Sequence, residues 1–185
     1  MRRIINSTYV SLDGVVTNPQ HWPALPDPGD EKTRIQQELI DQCDAVLLGK
    51  DTYLSFAGVW QGHSGDAFTD RINTMQKYVV STTLRETTWD NTAIIASNVA
   101  AGIARIKVQP GKDILTYGFG RLAGTLMEHG LLDEIRLWIH PFFLGSAPGA
   151  GLLIHHTEAA RLRLSGSLTM ANGIVIHSYA VENRS

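Results

Sequence analysis

A chain of 185 residues with 43% hydrophobic and 18% charged side chains is long enough for a real core and ordinary for a globular protein. Its formal net charge of -2 excludes a global field that would gather nucleic acid or an anionic membrane surface, and its single cysteine, Cys43, excludes an internal disulfide or a cysteine-built zinc site. Asn6, Ser7 and Thr8 break the opening MRRIINSTYVSLDG too early for a signal peptide. No run of about 18 apolar residues predicts a spanning helix, so the expectation is one cytoplasmic domain over residues 1–185.

Residues 2–12, RRIINSTYVSL, alternate and carry Ile, Val, Thr and Tyr, which predicts a strand. A Pro-rich loop, NPQHWPALPDPGD, follows. DEKTRIQQELIDQC predicts a helix with Ile35, Leu39 and Ile40 on one face and acids in its first turn. AVLLG (45–49) is a continuous apolar run ending at glycine, as in a buried strand. Two short helices are expected in DTYLSFAGVW and GDAFTDRINTM, then strands in KYVVST (77–82) and TAIIAS (92–97). Asn98 is placed to N-cap a helix reaching about Ile106. DILTYG predicts a strand and RLAGTLMEHG a helix closed by Gly130. EIRLWIHPFF is a strand ended by Pro141. After a Gly-rich loop (145–151), ARLRLSGSLTM and GIVIHSYAVE form a hairpin through Ala171-Asn172-Gly173. In its first strand, Arg161 and Arg163 mark the solvent face of a half-buried strand. Repeated βα units ending in a hairpin predict an α/β fold with a mixed, mostly parallel sheet.

Ligands of open α/β sheets collect at the carboxyl ends of strands, and three such ends share a chemistry. Gly49-Lys50-Asp51-Thr52 combines a glycine, a lysine and a hydroxyl at a helix start. Ser81-Thr82-Thr83, followed by Arg85, sets hydroxyls and a guanidinium at a strand end. Gly118-Phe119-Gly120-Arg121-Leu122 joins a strand to a helix through glycines. Each suits a phosphate through free backbone N–H groups and the helix dipole. Gly118-x-Gly120-x-x-x-Gly124 has one residue too many for the dinucleotide fingerprint G-x-G-x-x-G, and no G-x-x-x-x-G-K-[ST] phosphate loop occurs.

The blocks SLDGVVT, DAVLLGKDTYLSFAGVW, KYVVSTTL, DILTYGFGRLAGTLMEHGLLDEIRLWIHPFFLG and GIVIHSYAV, in this order, resemble the reductase family found as the C-terminal half of bacterial riboflavin-biosynthesis deaminase–reductases. That family is similar in fold to dihydrofolate reductase. The resemblance implies a dihydrofolate reductase-like fold and NADPH as cofactor. It carries the phosphate contacts onto Gly49, Lys50 and Thr52, onto Ser81, Thr82 and Thr83, and onto Gly118, Phe119, Gly120, Arg121 and Leu122. Where dihydrofolate reductases have adjacent glycines, Phe119 stands between two, able to crowd the turn or to stack on a ligand ring.

On the substrate side, the resemblance makes the loop from Ser11 onward a cover over the nicotinamide. Asp13 is the candidate catalytic or orienting group, although Asp13-Gly14 is also a strong turn dipeptide. Glu31, Glu38 and Asp41 lie on the first helix in no assigning motif. Gly14, Trp22, Tyr53 and Trp60 are candidates to line a flat substrate, against a plain packing role for Tyr53, Phe56 and Trp60. His155-His156 lacks further ligands at metal spacing, so no metal is expected. The implied activity is an NADPH-dependent reductase of a small heterocyclic substrate, of the riboflavin-pathway uracil reductase or dihydrofolate reductase type, acting as a homodimer without nucleic-acid or membrane partners. The rival reading is a non-catalytic nucleotide-binding or interaction domain that keeps the fold.

Overall fold

The computed structural model describes residues 1–145, 151–156 and 159–182. Its elements follow the predicted order: β1 (Ile4–Ser11), α1 (Glu31–Asp41), β2 (Cys43–Gly49), α2 (Lys50–Trp60), α3 (Ala67–Thr74), β3 (Gln76–Val80), β4 (Thr92–Ile95), α4 (Val99–Lys107), β5 (Asp113–Tyr117), α5 (Arg121–Glu128), β6 (Glu134–His140), β7 (Arg161–Thr169) and β8 (Val175–Glu182). The chain is an α/β fold of mostly parallel strands with antiparallel strands at its C-terminal end. It divides into two compact units, Met1–Ile4 with Thr33–Tyr117, and Ile5–Lys32 with Gly118–Ser185.

In the first unit the strand order is β4-β3-β2-β5, all parallel. β2 lies inside this sheet, and residues 45–48 are almost wholly buried, which is why they read as an unbroken apolar run. Register pairs Gly49 with Val80 and Leu47 with Thr116, so the carboxyl ends of β2, β3 and β5 lie at one end of the sheet. At the opposite end, buried Arg2 pairs with Asp44 and donates from Nε to the Lys112 carbonyl at 2.6 Å. Arg3 donates to Asp113 at 2.6 Å. Lys77 is wholly buried, and its Nζ donates to the carbonyls of Ile72, Asn73 and Met75, closing the C-terminal end of α3.

In the second unit the order is β1-β6-β8-β7. β1 and β6 are parallel, with Ser11 opposite His140, while β8 runs antiparallel between β6 and β7. Gly173 turns the hairpin at φ 87°. Two local expectations are corrected. Asn98 does occupy the N-cap of α4, but it is left-handed (φ 47°) and makes no side-chain cap bond. Asparagine serves there because it tolerates positive φ. The strand expected to be half-buried, β7, is exposed along its whole length, leucines included. As the edge strand of its unit, it has β8 on one side only.

Candidate functional site

The first unit brings two of the predicted strand ends together. Gly49 N-caps α2 without any side-chain cap bond, and open space surrounds the position a Cβ would take. The first-turn N–H groups of α2 therefore meet no capping side chain, and the helix end carries partial positive charge. Lys50, half-buried at the start of α2, donates to Thr83 Oγ1 at 2.9 Å, so the lysine and the post-β3 hydroxyls form one cluster. Ser81 is buried, and its hydroxyl accepts from the N–H groups of Thr83 and Leu84 at 3.2 and 2.9 Å, folding that turn. Thr82, Thr83 and Arg85 are exposed beside it, and Thr52 is half-buried in the first turn of α2. Asp51 in that same turn opposes an anion, and the neighbouring ammonium of Lys50 offsets it.

Tyr53 is not available to line an open site. It is 2% exposed, its ring packs near Trp89, and its hydroxyl accepts from the Trp89 N–H at 3.2 Å. Trp60 and Phe56 are half-buried and belong to an aromatic run in which Phe56 contacts Trp60 at 4.3 Å and Tyr117 at 5.1 Å.

In the second unit, the turn into α5 is built on Gly118 at φ 74°. The Gly118 carbonyl accepts from the Nδ2 of buried Asn6 at 2.8 Å, and Thr8 in turn donates to Asn6 Oδ1. Phe119 is 4% exposed, so its ring is core and does not stand on the turn as a stacking surface. Gly120 N-caps α5 with no side-chain cap bond and open space at its Cβ position. The first turn of α5 holds no acid, and Arg121 in it is exposed. Leu122 follows, half-buried.

Asp13 sits at the carboxyl end of β1 with every strong partner a donor. It accepts from Ser11 Oγ at 2.5 Å and from the backbone N–H groups of Leu144 and Gly145 at 3.1 and 2.9 Å. The Ser11 hydrogen bond lowers its pKa, desolvation opposes this, and the backbone N–H groups of Leu144 and Gly145 add to the lowering. The carboxylate is therefore ionised at neutral pH and ties the loop after β6 to the turn after β1. Gly14 makes that turn possible at φ 84°, donating to the Ser11 carbonyl, and its own carbonyl accepts from Leu153. Trp22 is held by its indole N–H on the Thr17 carbonyl at 3.0 Å. Its ring meets His140 and Phe142 edge-on at 5.1 and 5.7 Å, and Tyr9 meets His140 at 4.9 Å. His140 is buried, and its Nδ1 lies 2.9 Å from the Trp138 carbonyl. A carbonyl only accepts, so Nδ1 carries the hydrogen. Burial lowers the His140 pKa and the Lys32 charge adds to this, against the carbonyls of Trp138 and Val10, so the imidazole is neutral.

The acids of α1 are accounted for. Glu31 accepts from the Ala171 N–H, Glu38 pairs with Arg34, and Asp41 accepts from Gln37. No cluster of three metal-ligating side chains occurs among the described residues, where His155 is exposed; the side chain of His156 and part of the loop 145–151 lie outside them. No described helix is long and apolar enough to cross a membrane. Sequence reasoning missed Asn6, Lys32 and His140. An asparagine inside a buried strand was the available signal for Asn6. The other two carry none, because their neighbours lie far along the chain.

The family model of the RibD C-terminal domain matches residues 2–176. The uncharacterized Bacillus subtilis protein YyaP is 32% identical over 183 residues, covering 94% of this chain and 92% of the relative. A second uncharacterized B. subtilis protein, YwjB, is 24% identical over 184 residues, 95% of this chain and 97% of its own. Among solved structures, a riboflavin biosynthesis protein described as putative from Shewanella superposes with a TM-score of 0.71 at 16% identity, over 97% of this chain and 99% of that one. A Thermotoga maritima diaminohydroxyphosphoribosylaminopyrimidine deaminase/5-amino-6-(5-phosphoribosylamino)uracil reductase gives 0.66 at 11% identity, and there 98% of this chain matches 57% of the longer protein.

Proposed function

Because the chain belongs to the RibD C-terminal domain family, we propose that it is an NADPH-dependent reductase of a small heterocyclic substrate, related in chemistry to the ribosylaminouracil reduction named for its Thermotoga neighbour. The observation that carries this reading is the pair of helix N-termini capped by bare glycine, Gly49 on α2 and Gly120 on α5, each open where a side chain would stand. Such ends accept phosphate on free backbone N–H groups, and Lys50 supplies a full charge beside the first. Each of these ends therefore fits a phosphate group of such a cofactor. Gly49, Lys50, Thr52, Ser81, Thr82 and Thr83 in one unit, and Gly118, Phe119, Gly120, Arg121 and Leu122 in the other, are the proposed phosphate-binding residues, with Phe119 contributing backbone alone.

The cofactor, when bound, supplies the hydride. The work left to the chain is to orient the acceptor and shield it. Asp13 is proposed as a positioning residue rather than a proton donor, because its pKa is lowered and its oxygens are occupied by Ser11, Leu144 and Gly145. Trp22 and Gly14 are proposed on the substrate side. Tyr53 is withdrawn from that role by its burial, and Trp60 is left as packing. The exposed edge strand β7 is proposed to pair two copies of the chain.

The test is NADPH binding by fluorescence together with its oxidation in the presence of pterins, folates and ribosylaminopyrimidines. Wild type is expected to bind NADPH and oxidise it with one of these acceptors. Lys50→Met should weaken NADPH about ten-fold, the size of one charge-assisted contact. Asp13→Asn should raise KM for the acceptor while leaving NADPH affinity unchanged. Failure to bind NADPH removes the reductase reading, whereas binding without turnover of any acceptor favours the non-catalytic nucleotide-binding domain.

A further inference from the structure

Lys32, the second residue of α1, is half-buried, and its Nζ lies 5.3 Å from the centroid of the Tyr9 ring. It makes no hydrogen bond or ion pair among the described residues, while the carboxylate of adjacent Glu31 is turned to the Ala171 N–H. Burial lowers its pKa from the ordinary lysine value. A partly desolvated ammonium without a countercharge costs free energy that a bound anion would return. A single cation–π contact, worth about 0.5–2 kcal/mol, offsets part of that cost and leaves the charge itself unneutralised.

The surroundings of this ammonium are aromatic. Tyr9 is the one residue of β1 that is not buried. Its ring meets His140 at 4.9 Å, and His140 meets Trp22 at 5.1 Å and Phe142 at 5.7 Å, all tilted or edge-on and none stacked face to face. Tyr9, Trp22 and Phe142 are each partly exposed, so this aromatic wall is reachable by a flat ligand ring. His140 in this wall is neutral and adds no charge of its own. A lone cation beside open aromatic planes matches a ligand that is both flat and negative.

Resting on the reductase reading, we propose that Lys32, with Tyr9, Trp22 and Phe142, binds the hydride acceptor and selects a planar heterocycle bearing a negative charge. The ring lies against the aromatic side chains, and the anion is held by the Lys32 ammonium.

Uridine and uridine 5′-monophosphate are the probes, a carbonyl-rich ring without and with phosphate, and binding is read by calorimetry on the full chain. Wild type is expected to bind uridine 5′-monophosphate. Lys32→Met should weaken it about ten-fold or more and Lys32→Arg by less than about three-fold, with NADPH affinity unchanged in both. A loss confined to the monophosphate supports the proposal and assigns the anion to phosphate; because uridine is uncharged at neutral pH, an equal loss for uridine shows that Lys32 does not read a negative charge and overturns it. Trp22→Leu, on a partly exposed loop, should weaken both probes and serves if Lys32→Met does not fold. Unchanged binding of both probes by Lys32→Met, or by Trp22→Leu where that variant must stand in, overturns the proposal, as does a wild type that binds neither probe. Loss of NADPH binding by wild type would sink the reductase reading alone, because the two probes read the Lys32 site directly.

Discussion

Lys77 shows how one residue can be both a structural device and a pH-dependent liability. It donates to three carbonyls at the end of α3 and lies 4.7 Å from the Trp89 ring centroid, yet burial lowers its pKa to about 8, against the opposing pull of Asp90. Lys77→Met leaves those carbonyls without their donor and should reduce stability at neutral pH by about 1–3 kcal/mol. The pH dependence follows from the direction of the shift. Between about 8 and the ordinary value of 10.5 the unfolded chain holds this proton more tightly than the folded one. The burial penalty is thus complete below pH 8 and is relieved as pH rises through that window. Denaturant midpoints measured across it should show the gap between wild type and Lys77→Met widening with pH; a constant gap would refute the assignment. Nothing in the sequence marked Lys77, since a lysine inside KYVV reads as a solvent-facing residue until α3 is packed above it. Lys32 was hidden for a related reason: the rings around it come from residues 9, 22 and 142, and no local pattern links them.

At the scale of elements, the sequence was legible wherever a signal is local. The β2 run, the stop at Pro141 and the hairpin at Asn172-Gly173 all read through backbone chemistry confined to a few residues. The end of α5 is the fullest case. The Gly130 N–H donates to the Met127 carbonyl and the Leu131 N–H to the Leu126 carbonyl, with Gly130 at φ 61°, a paired closure that needs a left-handed residue. Gly130→Ala should destabilise the protein by about 1–2 kcal/mol and Gly130→Asn by less, because asparagine tolerates that conformation. Thermal denaturation of both variants checks this, and an alanine variant as stable as wild type would contradict it. The burial of β7 was misread because alternation of arginine with leucine reports what a strand has available to bury, and says nothing of whether a neighbour arrives to bury it. Of the proposed site, the bare glycine caps at Gly49 and Gly120 were readable from local sequence, while the burial of Tyr53 and of Phe119 emerges only from tertiary packing.

For the whole molecule, that exposed strand is a surface still to be explained. Leu162, Leu164 and Leu168 are 39%, 53% and 38% exposed on a nine-residue edge strand whose two arginines, Arg161 and Arg163, lie at its beginning and leave the stretch from Leu164 to Thr169 without charge. Pairing with a second copy would cover them. Sedimentation at micromolar concentration should give about twice the 20.3 kDa chain mass. Leu164→Lys should shift the species toward the single chain without loss of secondary structure. A single-chain mass for wild type would remove the dimer.

Each of the two compact units is assembled from two separate stretches of sequence, the first closing at Tyr117 and the second requiring everything from Gly118 onward. On the ribosome this imposes an order. The first unit has all its parts once Tyr117 has emerged, while residues 5–32, made long before, stay without β6 and β8 for the several seconds needed to synthesise the remainder at about 5–20 residues per second. During that interval β1, whose residues are nearly all apolar or destined for burial, lacks the strand it pairs with in its own unit. Residues 5–32 are thus the segment most exposed to chaperones and to misassembly, at a time when the first unit already has all its parts.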